Sequence, residues 1–451
     1  MGFLNAVDSF VWGLPLMTLL LGTGLYLTIL LRGIQFTWLF PALYLALVKR
    51  TEGDAKGDIS HFQALMTALS ATVGVGNIAG VATAIALGGP GAVFWMWITG
   101  LLGMATKYAE AVLAVKYRYV DENGNMVGGP MVYICAIGDN PAWKALAVAF
   151  ALFASLAAFG IGDMAQSNTV AEALESSFGV SRVTTGVTLA ILTAAVILGG
   201  IKWIGRACSV IAPVMIFFYC TASIWALLLT MDKIPGTIAT IIFHAFTPSA
   251  AIGGFAGASV WMAARMGLAR GIFSNESGLG SAPIAAAAAK TNDPVAQALV
   301  SMTQTFIDTL VVCTMTALVI LNSGAMESGL TGVKLSYKAY SLILPGGYGE
   351  MVVAISVALF AYSTLIGWSY YGEKAMEWLI GVKAILPYRI VFCVLTAVGA
   401  MLNLETVWTF SDIANGLMAF PNLVALVMLS PVIAAETKRY VTMKAGSKRK
   451  F

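Results

Sequence analysis

Long apolar runs alternate with short polar ones along the chain. The runs have the length of membrane helices rather than of the roughly ten-residue strands of a membrane barrel. Eleven spans are expected, near Phe10–Leu31, His61–Gly88, Gly91–Val115, Ala142–Phe178, Val183–Gly200, Arg206–Met231, Ala256–Ala289, Val295–Leu321, Glu350–Trp378, Ile385–Leu402 and Thr406–Ala435. The fourth exceeds the roughly 20 residues needed to cross a bilayer, so it should tilt or project beyond the lipid. Two spans break the pattern. At the centre of His61–Gly88 stands Thr72-Val73-Gly74-Val75-Gly76-Asn77, whose glycines, β-branched valines and asparagine suit continuous helix poorly. Gly271–Ala289 reads GIFSNESGLGSAPIAAAAA, with a polar, glycine-rich Ser274–Gly280 inside an otherwise apolar span. Pro283 falls in the first turn of its alanine-rich continuation, where a missing N–H does no harm.

Unwound backbone inside a bilayer persists only where protein, water or a ligand satisfies it. A break at Thr72–Asn77 leaves free carbonyls around Ser70–Val73, suited to a cation. It also leaves free N–H groups and a positive helix pole around Val75–Asn77, suited to an anion. A lone GxG would more simply be a glycine-lined packing face. A second interrupted span about 200 residues later changes the balance, because paired breaks point to the binding site of a secondary transporter.

Composition narrows the class. Of 451 residues 59% are hydrophobic and 11% charged, and mean hydropathy is +0.84. Soluble domains carry roughly a quarter charged residues, so an all-α integral membrane protein is expected. The net charge of +4 does not suggest nucleic acid, because the basic residues lie in loops. The five cysteines have no paired spacing and read as small apolar side chains. Only His61 and His244 are present, which makes a histidine metal centre an unfavourable reading. The N-terminus lacks a basic leader and enters a full-length span, so no cleavable signal peptide is expected.

Basic residues orient the spans. With the C-terminus in the cytoplasm, nineteen lysines and arginines fall on inside segments and four outside (Arg182, Lys233, Lys334, Lys338). Met1 is then outside, in the cell membrane. Setting the first span aside, the remaining ten form two five-helix halves, each opened by a broken helix and entered from opposite sides. That is an inverted-topology repeat. The expected organisation is 1–60, an extra transmembrane helix and cytoplasmic loop; 61–231, the first repeat; 232–255, an extracellular connection; 256–435, the second repeat; and 436–451, a basic tail.

The stretches VGVGNIAGVATAIALGGPGAVFWMW (Val73–Trp97), GMATKYAEAVLAVKYR (Gly103–Arg118), GGIKWIGRA (Gly199–Ala207) and RGIFSNESGLGSAPIAAAAA (Arg270–Ala289) resemble the alanine or glycine:cation symporter family. The core arrangement resembles the LeuT fold of sodium-coupled symporters. Ser277 stands where that pattern leads one to expect alanine, and Val75 where threonine is expected. The resemblance implies uptake of a small neutral amino acid, alanine before glycine, with co-transported sodium. A monomer would suffice for transport.

On that implication, Thr72 and the amides at Gly74, Val75, Gly76 and Asn77 meet the substrate carboxylate. Carbonyls near Ile272–Phe273 meet its ammonium, and the hydroxyls of Ser274 and Ser277 add contacts. Asn77 and Asn275 serve substrate or sodium. Phe273 and Trp368 are either pocket walls or plain core. Gln166, with Asp163 and Asn168 nearby, contacts substrate or a helix partner. Lys107 and Glu110 read as an ion pair on a snorkelling face. Glu276 reads as a structural acid reaching Arg265, Arg270 or backbone donors, and Asp308 as a structural or gating acid. The LeuT-like layout implies a sodium site from the carbonyls of Ser70, Val73 and Phe360 with the hydroxyls of Ser363 and Thr364. Hydroxyls so placed also commonly bond their own helix backbone.

Proton coupling is the nearest alternative. A channel would need rings of charge or carbonyls, and no nucleophile–base pair suggests an enzyme. The orientation yields a direct expectation. Single cysteines placed in Glu327–Ser336 should react with an impermeant thiol reagent in intact cells, whereas one at Lys444 should not; the reverse pattern would overturn both orientation and inverted repeat.

Overall fold

The computed structural model describes residues 2–50, 55–249, 257–402 and 405–448, without the side chains of Asn5, Ser177, 405–408 and 445–448. The expected start of the seventh span at Ala256, part of the 232–255 connection and the tail beyond Lys448 lie outside the described residues. Among the described residues, eight helices are long and apolar enough to cross a membrane, nine when one bent pair is counted as a span. That pair is His61–Thr72 and Val75–Gly88, bent by 61°.

The first break forms as the composition requires. His61–Thr72 starts with a capping box in which Ser60 and Gln63 exchange hydrogen bonds, and it stops where Val73 turns extended. A single 3-10 turn, Val75–Asn77, then precedes Ala79–Gly88. The seventh expected span divides in the same manner, into Val260–Asn275 and Ala282–Ala287. Glu276, at φ 55°, ends the first half, and Gly278 and Gly280, at φ +89° and +85°, carry the chain across. Positive φ there is natural for glycine and strained for glutamate.

Other spans depart from their expected bounds. The fourth is a rod of Pro141–Phe159, a π turn at Gly160–Met164, and Ala165–Phe178. The eighth carries a π stretch, Phe306–Cys313, between Pro294–Thr305 and Thr314–Ser323. The fifth is a 16-residue helix, Arg182–Ile197. The last, expected as one run over Thr406–Ala435, divides into Glu405–Met428 and Ser430–Lys448. Pro431 lacks an N–H to donate to Val427, and the Ser430 hydroxyl fills that carbonyl instead, at 2.8 Å. Two connections expected as loops contain helices, Ile234–His244 and Gly332–Ile343.

Helices meet in a regular scheme. Gly91–Tyr117 packs against Val260–Asn275 and Pro294–Thr305. The Pro141–Phe159 rod lies on Tyr348–Ile380 and Glu405–Met428, and Arg182–Ile197 lies on Ile385–Met401. Gly200–Leu228 packs against His61–Thr72 and Tyr348–Ile380. Just before the first broken span and just after the second, a parallel bridge pairs Ile59 with Ala289. Arg118 donates to four carbonyls around it, those of Ala287, Ala289, Lys56 and Thr291, at 2.6–2.9 Å.

Small residues permit these approaches. A Cβ on Gly267 would lie 2.2 Å from the Ala92 carbonyl oxygen, whereas one on Gly80 would meet nothing within 4 Å. Gly267→Leu should therefore force Gly91–Tyr117 and Val260–Asn275 apart, at a cost of about 1–3 kcal/mol. Gly80→Ala should hold or raise stability, by up to about 1 kcal/mol. Thermal unfolding of the purified variants checks the contrast; equal midpoints would show that the close approach carries no weight.

Candidate functional site

The two breaks face a small compartment of about 30 Å³. Thr72, Gly74, Val75 and Gly76 line it from the first break and Phe273 and Glu276 from the second. Ile161 reaches it from within the Gly160–Met164 π turn and Gln166 from just beyond it, Thr364 and Trp368 from Tyr348–Ile380, and Asn415 from Glu405–Met428. The π turn brings that wall close: a Cβ on Gly162 would lie 2.4 Å from the Trp368 Cβ.

Donors and acceptors in the compartment are unevenly used. The Gly74 amide, expected to be free, donates to Asn77 Oδ1 at 2.8 Å. Among the described residues, the amides of Val75 and Gly76 make no hydrogen bond. On the acceptor side, Gln166 Oε1 and Asn415 Oδ1 are buried without a partner, while Gln166 Nε2 is spent on the Ile161 carbonyl at 3.0 Å. The expected role of the Ile272 carbonyl changes, because the Glu276 amide already donates to it at 2.8 Å.

Five residues expected at the pocket sit elsewhere. Asn77, Ile272, Ser274, Asn275 and Ser277 do not line the compartment but turn toward Pro294–Thr305 and the π stretch that follows it, or into the core. Asn275 donates to Thr309 at 3.1 Å and accepts from the Ser277 amide at 2.9 Å. The Ser277 hydroxyl meets Thr305 at 3.1 Å. Ser274 donates to Asp308 at 3.0 Å, and Asn77 Nδ2 donates to the same carboxylate at 2.7 Å. Asp308 thus joins both breaks from a third helix, and Thr309 donates to it as well at 2.8 Å. Cys313 adds a sulfur 3.3 Å from Asn77 Nδ2 and 3.4 Å from Ser274 Oγ. The sequence marked Asp308 as a costly intramembrane acid; its two partners were not readable from local pattern.

Of the oxygens named for sodium, those of Ser70, Phe360, Ser363 and Thr364 lie close together. Ser363 Oγ lies 3.1 Å from the Ser70 carbonyl oxygen and 2.8 Å from that of Phe360, which also accepts from Thr364 Oγ1 at 2.9 Å. A Cβ on Gly74, next to Val73, would stand 2.7 Å from Thr364 Oγ1. All are hard oxygen donors of the kind that suits an alkali cation. The hydroxyls also bond their own helix backbone, so packing and ligation are both compatible with this geometry.

Two charged residues differ from expectation. Lys107 does not snorkel: Gly91–Tyr117 is enclosed by neighbouring helices, Lys107 is 1% exposed, and its ammonium makes no hydrogen bond. Glu110 instead accepts from the amides of Gly278 and Gly280 and from Asn422 Nδ2, at 3.1, 3.2 and 2.7 Å, and so fixes the second break. Glu276 reaches neither Arg265 nor Arg270; it accepts from Trp368 Nε1 at 2.9 Å and from the Ser281 hydroxyl at 2.5 Å. Near the start of the first broken span, burial raises Asp58 above the ordinary carboxylate range, against the Met126 amide and Lys374. Asp121 is also pushed up by burial, but the amides of Asn125 and Asn123, a Glu377 contact and Lys374 outweigh this and hold it below that range.

The Glu276 pair generates a test of local structure. Glu276→Gln keeps an acceptor for the Trp368 indole, whereas Glu276→Ala leaves a buried donor unpaired, at about 1–3 kcal/mol. The alanine variant should melt lower than the glutamine one in a thermal scan; the reverse order would mean that the indole contact contributes nothing.

Comparisons with known proteins bear on this geometry. The family model described as the sodium:alanine symporter family matches residues 1–451. The sodium/alanine symporter AgcS of Methanococcus maripaludis is 53% identical over 97% of this chain and 96% of its own. Among solved structures, a Na+-coupled sialic acid symporter in a substrate-bound outward-open state is similar in fold, with TM-score 0.54 and 11% identity over 93% of this chain and 98% of that one. A manganese transporter of Eremococcus coleocola, solved as a point mutant, aligns with TM-score 0.52 and 15% identity over 83% of this chain and 78% of its own. With mostly apolar helices, paired breaks and a family match along its whole length, the chain belongs to the sodium:alanine symporter family of multi-pass membrane transporters.

Proposed function

We infer that the protein imports a small neutral amino acid, alanine first and glycine second, together with sodium. The observation that carries this reading is the shared compartment of unspent amides at Val75 and Gly76 and unspent acceptors at Gln166 and Asn415. Amides at a helix N-terminus suit a carboxylate, and two amide-type carbonyls suit an ammonium. A zwitterion carries both charges a few ångströms apart. Phe273 and Trp368 close the walls, and a compartment of about 30 Å³ favours a short side chain. The similarity to a sodium/alanine symporter supports the same cargo.

Sodium is placed at the oxygens of Ser70, Val73, Phe360, Ser363 and Thr364, where it ties the first break to Tyr348–Ile380. A second cation position at Asp308 would use the carboxylate that already links Asn77 and Ser274. The helix packing supports a 5+5 LeuT-like inverted repeat behind one extra N-terminal span. In that numbering core helix two meets seven, three meets eight, four meets nine, and five on eight mirrors ten on three. Such a core works by alternating access around the midplane site, here with the N-terminus outside and the C-terminus in the cytoplasm of the cell membrane.

Sodium and alanine must strengthen each other's binding by one factor, because the coupling is reciprocal. Thr364→Ala should raise the sodium concentration that half-saturates alanine binding, with affinity restored at high sodium. Gly76→Val should abolish alanine binding at any sodium concentration, since its Cβ would already stand 3.4 Å from the Phe273 ring and its methyls would fill the compartment. Labelled-alanine uptake into proteoliposomes under separate sodium and proton gradients tests the whole reading. Uptake driven by protons alone would replace sodium coupling with proton coupling.

A further inference from the structure

Outside the Phe273 ring lies a second cavity, of about 150 Å³, against about 30 Å³ for the central one. Phe273 lines both. The outer cavity holds four charged side chains, Asp8, Arg265, Arg270 and Asp412. Asp8 comes from the helix Gly2–Val11, which precedes the ten-helix core and packs on Glu405–Met428. Trp12, just after it, donates its indole N–H to the Asp412 carbonyl at 3.0 Å, which fixes that corner. A third cavity, of about 310 Å³, shares Met17 and Arg265 with this one. The three form a file that ends at the central site.

The charged groups in the outer cavity are not consumed by one another. Oδ1 of Asp8 and Oδ1 of Asp412 are both buried without a hydrogen-bond partner. Buried acceptors in that state cost free energy unless something supplies donors. Arg270 sits with its guanidinium carbon 5.7 Å from the Phe273 ring centroid, stacked on the partition between the cavities. Two guanidinium groups and two carboxylates leave the cavity near neutrality. A lone anion or cation would upset that balance, whereas a zwitterion adds no net charge and presents one group to each kind of partner. Guanidinium groups recognise carboxylates geometrically, and carboxylates accept strongly from an ammonium.

We propose that this cavity is an outer binding site for a zwitterionic amino acid, a station that the substrate occupies before Phe273 admits it. Arg265 and Arg270 take the carboxylate, and Asp412 and Asp8 take the ammonium. The N-terminal helix is thereby part of the transport machinery, and occupancy acts on the partition because Arg270 bears on Phe273. The proposal rests on amino-acid transport through the central site.

A cysteine placed at Ala269, which lines the outer cavity, reports occupancy through its rate of modification by an impermeant thiol reagent. The measurement is made in the otherwise unaltered chain and in a Gly76→Val background that blocks the central compartment. Alanine should slow the reaction in both. Arg265→Gln or Asp412→Asn should raise the half-protecting alanine concentration about tenfold, as loss of one charge-assisted hydrogen bond implies. N-acetylalanine and alaninamide, each with one charge, should protect poorly. Protection lost in the Gly76→Val background would sink the outer site while leaving the central one standing, since only conformational coupling would then have been seen. Equal protection by alaninamide would make it a cation site and overturn the proposal. Should Ala269→Cys fail to purify as a single species, Met266→Cys on the same wall gives the same readout. Sodium-dependent alanine binding, measured on the same preparation, reports the central reading separately.

Discussion

The Asp308 carboxylate holds the two breaks in register. It accepts from Asn77 on one side and Ser274 on the other, and neither donor has an equivalent partner within its own helix. A broken membrane helix is expensive because each loose end exposes backbone that lipid will not satisfy. Here the expense is limited by side chains that turn inward: Asn77 caps Gly74, Glu110 takes the amides of Gly278 and Gly280, and Glu276 takes the Trp368 indole. Four groups left unspent face the compartment that the breaks enclose: the amides of Val75 and Gly76, Gln166 Oε1 and Asn415 Oδ1. This hydrogen-bond inventory gives the compartment its chemistry.

The same inventory explains how the ends are closed. The bridge between Ile59 and Ala289 and the four carbonyls gathered by Arg118 join the start of the first broken span to the end of the second. These are backbone contacts with a single guanidinium at their centre. Between the two cavities stands an aromatic ring, Phe273, with the Arg270 guanidinium over it. Gly91–Tyr117 packs on the second broken span through glycine and alanine, with Gly267 set against Ala92.

Hydropathy alone determined the order of the apolar runs, the two interruptions and the class of protein, because a bilayer demands about 20 apolar residues per crossing and tolerates no idle backbone. The motif stretches around those interruptions also carried the family. The residues of the first break, with Gln166, Trp368 and Thr364, were legible as polar or conformationally odd positions in apolar runs. Tertiary structure decided which of them meet. Ser274 and Asn77 share a carboxylate that follows them in sequence by 34 and 231 residues, and Glu276 pairs with an indole 92 residues away rather than with a neighbouring arginine. Lys107 was read as snorkelling because local pattern shows no neighbours, yet the surrounding helices bury it. The physical reason is common to all three. A membrane helix is apolar on every side, so periodicity does not mark which face meets protein, and only the packed bundle assigns the partners.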